Sequence, residues 1–155
     1  MPNKPEPSLK GRALRLLAMR DHSRVELERK LAPHTEDPEA LRRALDELQA
    51  KGFIDEARAA RSLLHRRAPK LGAARVKAEL QQRGLPDAVV AETMAELRGT
   101  EAERAHEVWR RKFGEPPADL AERARQMRFL AARGFAPELI RRTVPAIGGQ
   151  HTRDG

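Results

Sequence analysis

The sequence contains no cysteine and no tyrosine, and it has one tryptophan and four phenylalanines among 155 residues. Without cysteine, disulfide bonds and thiolate metal sites are excluded, a pattern typical of a reducing compartment. No stretch is apolar enough to cross a membrane, and the first residues lack the apolar core of a signal peptide. We therefore expect a cytoplasmic protein that is not attached to a membrane.

Large apolar side chains are scarce throughout the chain. Apolar residues make up 39% of the sequence and aromatic residues 3%, whereas 35% of the residues are charged. The core must therefore be thin and built from leucine, alanine and valine. Such a composition favours a stack of helices over one compact globule.

Motifs for catalysis and for tightly bound groups are also missing. The sequence has no glycine-rich phosphate loop, no nucleophile elbow and no paired-carboxylate motif. Its five histidines are scattered and show no metal-ligand spacing. We therefore expect a protein that is not an enzyme and that has neither a cofactor nor a metal.

Capping residues and prolines predict nine short helices, and no segment alternates as a strand would. A capping box is predicted at Ser23 with Glu26 and another at Thr100 with Glu103. Among the side chains expected to face inward are Ala57 and Leu120. The predicted helix openings are Ser8, Ser23, Asp37, Asp55, Gly72, Pro86, Thr100, Pro117 and Pro137.

Apolar positions recur at intervals of 49 and 50 residues, which indicates an internal repeat. The matching series are Leu14, Leu63 and Phe113; Leu31, Leu80 and Leu130; Leu41, Val90 and Ile140; and Leu45, Met94 and Val144. We predict an all-α fold of three tandem three-helix repeats forming an elongated, curved helical stack. The predicted repeats span residues 8–54, 55–99 and 100–147, with disordered ends at 1–7 and 148–155.

The formal net charge is +8, which suits a polyanionic partner, although arginine usage in a GC-rich genome would give the same excess. Residues 56–84 hold eight basic side chains against two acidic ones, and residues 104–133 hold eight against four. These segments predict a basic surface that could follow a phosphate backbone or an acidic protein groove. Its candidate residues are Arg58, Arg61, Arg66, Arg67, Lys70, Arg75, Lys77, Arg83, Arg110, Arg111, Lys112, Arg123, Arg125 and Arg128.

Two observations keep other interpretations of this charge open. The basic side chains could form a solvated face that offsets helix dipoles without binding anything. No aromatic residues are interleaved with the charges to stack on bases, and Trp109 and Phe113, four residues apart, are expected in the core.

Four segments in order resemble motifs of the RecX family. They are RDHSRVELERKL at 20–31, GFIDE at 52–56, GAARVKAEL at 72–80 with RGL at 83–85, and LAARGF at 130–135. The resemblance covers roughly residues 9–144. Two family features are missing: an aromatic residue near Ala59, which predicts looser packing there, and a glycine near residues 32–34.

The resemblance implies a monomeric cytoplasmic protein that binds RecA and its DNA filament. It also implies that the protein restrains the ATPase, recombinase and coprotease activities of RecA in DNA repair, homologous recombination and the SOS response. Some affinity for single- or double-stranded DNA, directed at phosphates, is implied as well. Two alternatives stay open: a helix-turn-helix-like DNA-binding protein or repressor that acts without RecA, and a helical scaffold for another protein.

Overall fold

The computed structural model describes residues 6–148, and within that range the chain folds into nine α-helices and two short 3₁₀ turns, without a strand. The all-α prediction is confirmed. The predicted disorder of residues 1–7 and 148–155 lies outside the described residues, except at residues 6, 7 and 148. The helices are α1 Leu9–Met19, α2 Arg24–Leu31, α3 Pro38–Ala50, α4 Glu56–Arg67, α5 Ala73–Gln82, α6 Asp87–Leu97, α7 Glu101–Lys112, α8 Leu120–Ala132 and α9 Pro137–Thr143.

Contacts divide the described residues into two units. The first unit contains residues 6–62 and 80–91, and the second contains residues 63–79 and 92–148. Because α4, α5 and α6 each cross a boundary between the units, the middle three helices contribute to both.

The first unit packs α1, α2 and α3 against one another. Its buried core is made of small and medium apolar side chains, and further leucines of α1 pack against it: the core residues are Ala13, Leu27, Leu31, Leu41, Leu45, Leu48 and Ile54. The second unit packs α7, α8 and α9 together, and α7 also contacts the 3₁₀ turn Ala68–Lys70. Its core residues are Ala105, Trp109, Leu130, Phe135, Leu139, Ile140 and Val144.

The apolar register is confirmed by burial at its central positions. Leu31, Leu80 and Leu130 are at most 2% exposed, and Leu41, Val90 and Ile140 are at most 7% exposed. Trp109 lies in the core as expected, and its indole nitrogen donates a 2.8 Å hydrogen bond to the buried amide of Gln126.

Equivalent turns of the chain form equivalent contacts inside the two units. Each contact, here called a joint, is a hydrogen bond from the residue before one helix to the carbonyl of the residue that follows another helix. In the first unit, the Ser23 hydroxyl at the start of α2 donates to the carbonyl of Arg83, after α5. In the second, the Gly72 amide before α5 donates to the carbonyl of Arg133, after α8, at 2.7 Å. The donor is thus a side chain in one joint and the backbone in the other, while the acceptor is each time the arginine before a left-handed glycine.

Glycine is required at these joints because two segments of the chain approach each other closely there. Gly84 has φ +72°, and a Cβ on it would overlap the side chain of Val25. Gly134 has φ +90°, and a Cβ on it would overlap Arg75. A larger residue at either position would combine backbone strain with a steric clash.

Most predicted helix openings are correct. Ser8, Ser23 and Asp37 each accept a hydrogen bond from a backbone amide of the following turn, and Ser23 forms the predicted capping box with Glu26. Asp55 accepts from the amide of Arg58 at 3.0 Å in the same way.

The predicted capping box at Thr100 with Glu103 is wrong. Thr100 has helical backbone angles, and its hydroxyl donates to the carbonyl of Leu97 at 2.9 Å instead of accepting an amide of α7. The reason is that α6 ends at Leu97 and α7 begins only four residues later. The hydroxyl therefore donates to the last carbonyl of α6 and does not cap α7.

The predicted opening of α8 at Pro117 and the two predicted inward side chains are also wrong. Asp119 caps α8 by accepting from the Glu122 amide at 2.8 Å, so Leu120 takes the first helical position and is 76% exposed. Ala57 is exposed because α4 turns Ala59 and Ala60 into the core instead.

Candidate interface for RecA and DNA

The fourteen predicted basic residues divide between the two units. Arg58, Arg61 and Arg83 belong to the first unit. The second unit holds the others: Arg66, Arg67, Lys70, Arg75, Lys77, Arg110, Arg111, Lys112, Arg123, Arg125 and Arg128.

Basic side chains of the first unit serve its own structure. The Arg58 guanidinium lies 2.9 Å from Asp21 and donates to the carbonyls of Gly52 and Phe53 at 3.1 Å. Arg61 also has an interaction within the chain. Arg58 therefore contributes to holding the first unit together.

Arg83, which was predicted as part of the basic surface, packs against other residues of the first unit. Its side chain is 28% exposed and lies 3.9 Å from Glu26, and its carbonyl accepts from Ser23. Burial tends to raise the pKa of Glu26, but hydrogen bonds from Arg20 and the Ser23 amide, with the charges of Arg20 and Arg83, lower it overall. Arg83 therefore belongs to the joint of the first unit.

Several basic side chains of the second unit are paired with carboxylates. Arg67 contacts Glu79 at 3.0 Å, and Arg125 contacts Glu122 at 2.8 Å. Arg110 and Arg111 share Glu107, and their hydrogen bonds lower the pKa of Glu107 to about 2. Because these pairs are on the surface, they contribute little stability, but they reduce the local positive charge.

The other candidates in the second unit form no ion pair with any described carboxylate. Two of them make weaker internal contacts: Arg75 donates to the Ala132 carbonyl at 3.3 Å, and Arg123 points to the sulfur of Met127 at 3.2 Å. Their charges are available to an anionic partner. They are Arg66, Lys70, Arg75, Lys77, Lys112, Arg123 and Arg128.

Two of these residues line a cavity of about 260 Å³ in the second unit, here called the basic pocket. Phe129 lies within it, with the Arg133 guanidinium 4.6 Å and the Lys112 ammonium 5.4 Å from the centre of its ring. No carboxylate lines the pocket. Its residues are Pro69, Lys70, Val108, Arg111, Lys112, Phe129 and Arg133.

Phe129 and Arg133 were not among the predicted site residues. Their spacing of four positions across the end of α8, which places a cation beside a ring, was the available signal. The structure thus places one aromatic residue, Phe129, beside basic side chains.

Arg104 is a third residue that was not predicted from the sequence. It forms hydrogen bonds to the turn that contributes Lys70 to the basic pocket. Its guanidinium donates to the carbonyl of Ala68 at 3.1 Å and to the carbonyl of Leu71, on either side of Lys70. Burial lowers the pKa of Arg104. This half-buried cation therefore fixes the turn that carries Lys70.

The described part of the chain offers neither a three-ligand metal cluster nor a membrane span. Among residues 6–148 there is no cluster of three histidine, aspartate or glutamate side chains placed to hold a metal ion. None of the described helices is both long and apolar enough to span a bilayer. His151 lies outside the described residues.

Comparison with known proteins identifies all three parts of the chain. The models of the RecX family match in order: its first three-helix domain over residues 10–48, its second over 55–94 and its third over 100–144. The chain is 51% identical over 152 residues to a protein of Leptothrix cholodnii named regulatory protein RecX, which covers 98% of this chain and 97% of that protein. It is 46% identical to the protein of that name from Herbaspirillum seropedicae, over 89% of this chain and 90% of the relative.

Solved structures show the same fold at low sequence identity. The crystal structure of RecX from Lactobacillus salivarius has a TM-score of 0.72 and 16% identity, and the match covers 87% of this chain and 91% of that one. A second crystal structure of a regulatory protein RecX also has a TM-score of 0.72, with 18% identity, over 87% of this chain and 70% of the other. From its three domains and its relatives, this chain belongs to the RecX family.

Proposed function

We propose that this chain binds RecA and its filament on DNA, and that binding lowers the ATPase, recombinase and coprotease activities of RecA. The observation that carries the proposal is the match of all three domains to the RecX family over residues 10–144. The relatives named regulatory proteins support a role exerted through binding and not through catalysis. The protein acts as a cytoplasmic monomer in DNA repair, homologous recombination and the SOS response.

The charge of the second unit supports this proposal. Seven of its predicted cations have no described carboxylate partner, so their charge can attract the phosphates of DNA or an acidic protein groove. Each phosphate that a cation neutralises releases condensed counterions, which makes such binding favourable and dependent on salt. The interface therefore lies mainly on the second unit.

The direct test is a titration of RecA, assembled on single-stranded DNA, while ATP hydrolysis is followed. ATPase activity should fall progressively as the protein is added. No effect at a stoichiometric excess would contradict the proposal. Selective binding of a duplex DNA sequence without RecA would instead support a repressor.

Charge-removal variants test the position of the interface. Replacing Arg66, Lys77 and Arg128 with glutamine removes three exposed, unpaired cations of the second unit, and this variant should inhibit at least about tenfold more weakly. The matched control replaces Arg12, Arg15 and Arg43, which are cations of the first unit without an ion pair to any described carboxylate. An equal loss in both variants would show that only net charge matters.

A further inference from the structure

The basic pocket brings four cationic side chains to one small cavity. Lys70 comes from the 3₁₀ turn, Arg111 and Lys112 come from the end of α7, and Arg133 follows α8. Arg111 shares Glu107 with Arg110, whereas Lys70, Lys112 and Arg133 form no ion pair with any described carboxylate. Three uncompensated positive charges therefore surround a space of about 260 Å³.

Like charges repel, so this arrangement needs a restraint, and Phe129 provides one. The Arg133 and Lys112 cations lie 4.6 and 5.4 Å from the centre of its ring, so the two charges are at most about 10 Å apart. The edge of Phe113 packs on the same ring, with the centroids 5.4 Å apart and the planes at 83°. An aromatic ring attracts a cation without neutralising it, which leaves the positive charge available to an anion.

The backbone adds further restraints. Arg104 holds the carbonyls on both sides of Lys70, and the Arg133 carbonyl accepts from the Gly72 amide at 2.7 Å. The attachment points of two cations are thus fixed before any ligand arrives. Such preorganisation lowers the entropy that binding would otherwise cost.

We propose that the basic pocket is a phosphate-binding site in which Lys70, Lys112 and Arg133 donate to the phosphate oxygens. Charge-assisted hydrogen bonds from several converging cations suit the oxygens of a phosphate. The phosphate comes from the backbone of a single DNA strand or from a free polyphosphate. The site deepens the proposed function, because on a DNA strand it would be one of the points at which the protein contacts the filament.

Titrations without RecA distinguish the two sources. The side-chain Nε–H resonance of Arg133 is followed by NMR while inorganic pyrophosphate or a thymidine oligonucleotide is added. A response to the oligonucleotide supports a strand backbone as the ligand, and a response to pyrophosphate alone supports a free polyphosphate. If neither probe moves the Arg133 signal, the proposal is overturned.

Variants then test which side chains bind. Replacing Lys70, Lys112 and Arg133 with glutamine should weaken binding of the responding probe by more than about tenfold. The control with Arg12, Arg15 and Arg43 replaced loses the same charge and should bind nearly as well as the parent protein. An equal loss in both variants would overturn the site.

The variant Phe129→Leu tests whether phosphate binding depends on the arrangement of the cations as well as on their number. It keeps every charge and an apolar side chain against the core, and it should weaken binding by about threefold to tenfold because two cations lose their ring. Circular dichroism confirms that each variant is folded. Unchanged affinity in Phe129→Leu would show that the ring has no part in the site.

The outcomes separate this site from the proposed function. Phosphate binding together with unchanged RecA ATPase would contradict only the proposed regulation. Inhibition of the ATPase without phosphate binding would contradict only the basic pocket.

Discussion

His22 is a buried histidine whose two ring nitrogens both have partners. Nδ1 lies 2.9 Å from the Arg20 carbonyl and Nε2 lies 3.1 Å from the Lys30 ammonium. The neutral ring satisfies both contacts when Nδ1–H donates to the carbonyl and Nε2 accepts from lysine. Burial, together with the nearby charges of Arg20 and Lys30, lowers the pKa of His22.

This lowered pKa predicts that acid destabilises the first unit. The unfolded chain takes up a proton at His22 near pH 6.5, whereas the folded chain takes it up only at lower pH. The contribution of His22 to stability is therefore complete above about pH 6.5 and is lost as the pH falls towards the lower folded pKa. Urea unfolding of the parent protein and of His22→Asn at several pH values between 5 and 7.5 measures this.

Asparagine is a suitable replacement because it can still donate to the Arg20 carbonyl but does not titrate. The free energy of unfolding should depend less on pH in the variant over this range. Identical pH profiles for the two proteins would mean that His22 does not titrate differently on folding.

Gly84 and Gly99 form a matched pair for measuring the cost of the close approach at the joint. Both have positive φ, at +72° and +88°, but only Gly84 has a neighbour, Val25, where a Cβ would lie. Gly99→Ala should cost about 1–2 kcal/mol from the backbone alone. Gly84→Ala should cost about 1–3 kcal/mol more, because the added methyl group would overlap the Cβ of Val25 and the backbone of α2 or of the turn must move.

Chemical denaturation of both variants provides the comparison. Equal losses of unfolding free energy would show that the joint adapts to the added methyl group. The sequence could predict these glycines as helix ends, but not their neighbours, since Val25 and Gly84 are 59 positions apart.

At the level of helices, Ser23 has two roles, whereas Ser8 has one. Ser23 caps α2 and also donates to the Arg83 carbonyl, but Ser8 only caps α1 by accepting from the Gly11 amide at 3.0 Å. Ser8→Ala should therefore cost about 1 kcal/mol, as is usual for a lost cap. Ser23→Ala should cost about 2 kcal/mol or more, because the partly buried Arg83 carbonyl also loses its donor.

Thermal melting of the two variants measures this difference. If Ser23→Ala is no more destabilising than Ser8→Ala, the joint contributes nothing to stability.

Local sequence signals predicted helix openings well where a cap serves its own helix, as at Ser8, Ser23 and Asp37. They failed at Thr100 and Pro117 for different reasons. The Thr100 hydroxyl lies between two adjacent helices and donates to the Leu97 carbonyl at the end of α6, and the Pro117 carbonyl accepts from the Gly148 amide at 2.7 Å. Propensity describes neighbours in sequence, so it cannot identify the distant partner of Pro117.

At the scale of the whole molecule, the middle repeat depends on contacts with both of its neighbours in sequence. Its Arg83 carbonyl and Gly84 meet α2, while its Ala73 amide donates to Glu101 at 3.1 Å and its 3₁₀ turn accepts from Arg104. A fragment of residues 55–99 lacks all of these partners. We predict that this fragment is largely unfolded in isolation.

Far-ultraviolet circular dichroism of the fragment, compared with the whole chain, tests this. A cooperative melting transition in the fragment would contradict the prediction and would support three independent domains. The fragment of residues 100–147 provides a comparison, because its core cluster lies entirely within it.

The charge distribution located the candidate site only in part. Counting basic residues pointed to chain segments that also supply the basic pocket, including Lys70 and Lys112. It could not separate these cations from Arg58, which Asp21 neutralises 37 positions away, nor find the ring of Phe129 beside Arg133. Which basic side chains form ion pairs depends on their neighbours in the folded structure, whereas the net charge of a segment can be counted from the sequence alone.

The joint between Ser23 and Arg83 has a consequence for the order in which the protein folds during synthesis. The donor leaves the ribosome 60 residues before its acceptor, and the intervening residues 63–79 belong to the other unit. Helices α1 to α3 can assemble early around their own core, but the first unit closes only after residues 80–91 have emerged. A nascent chain stalled before Arg83 therefore leaves the surface around Val25 exposed until translation supplies residues 83 and 84.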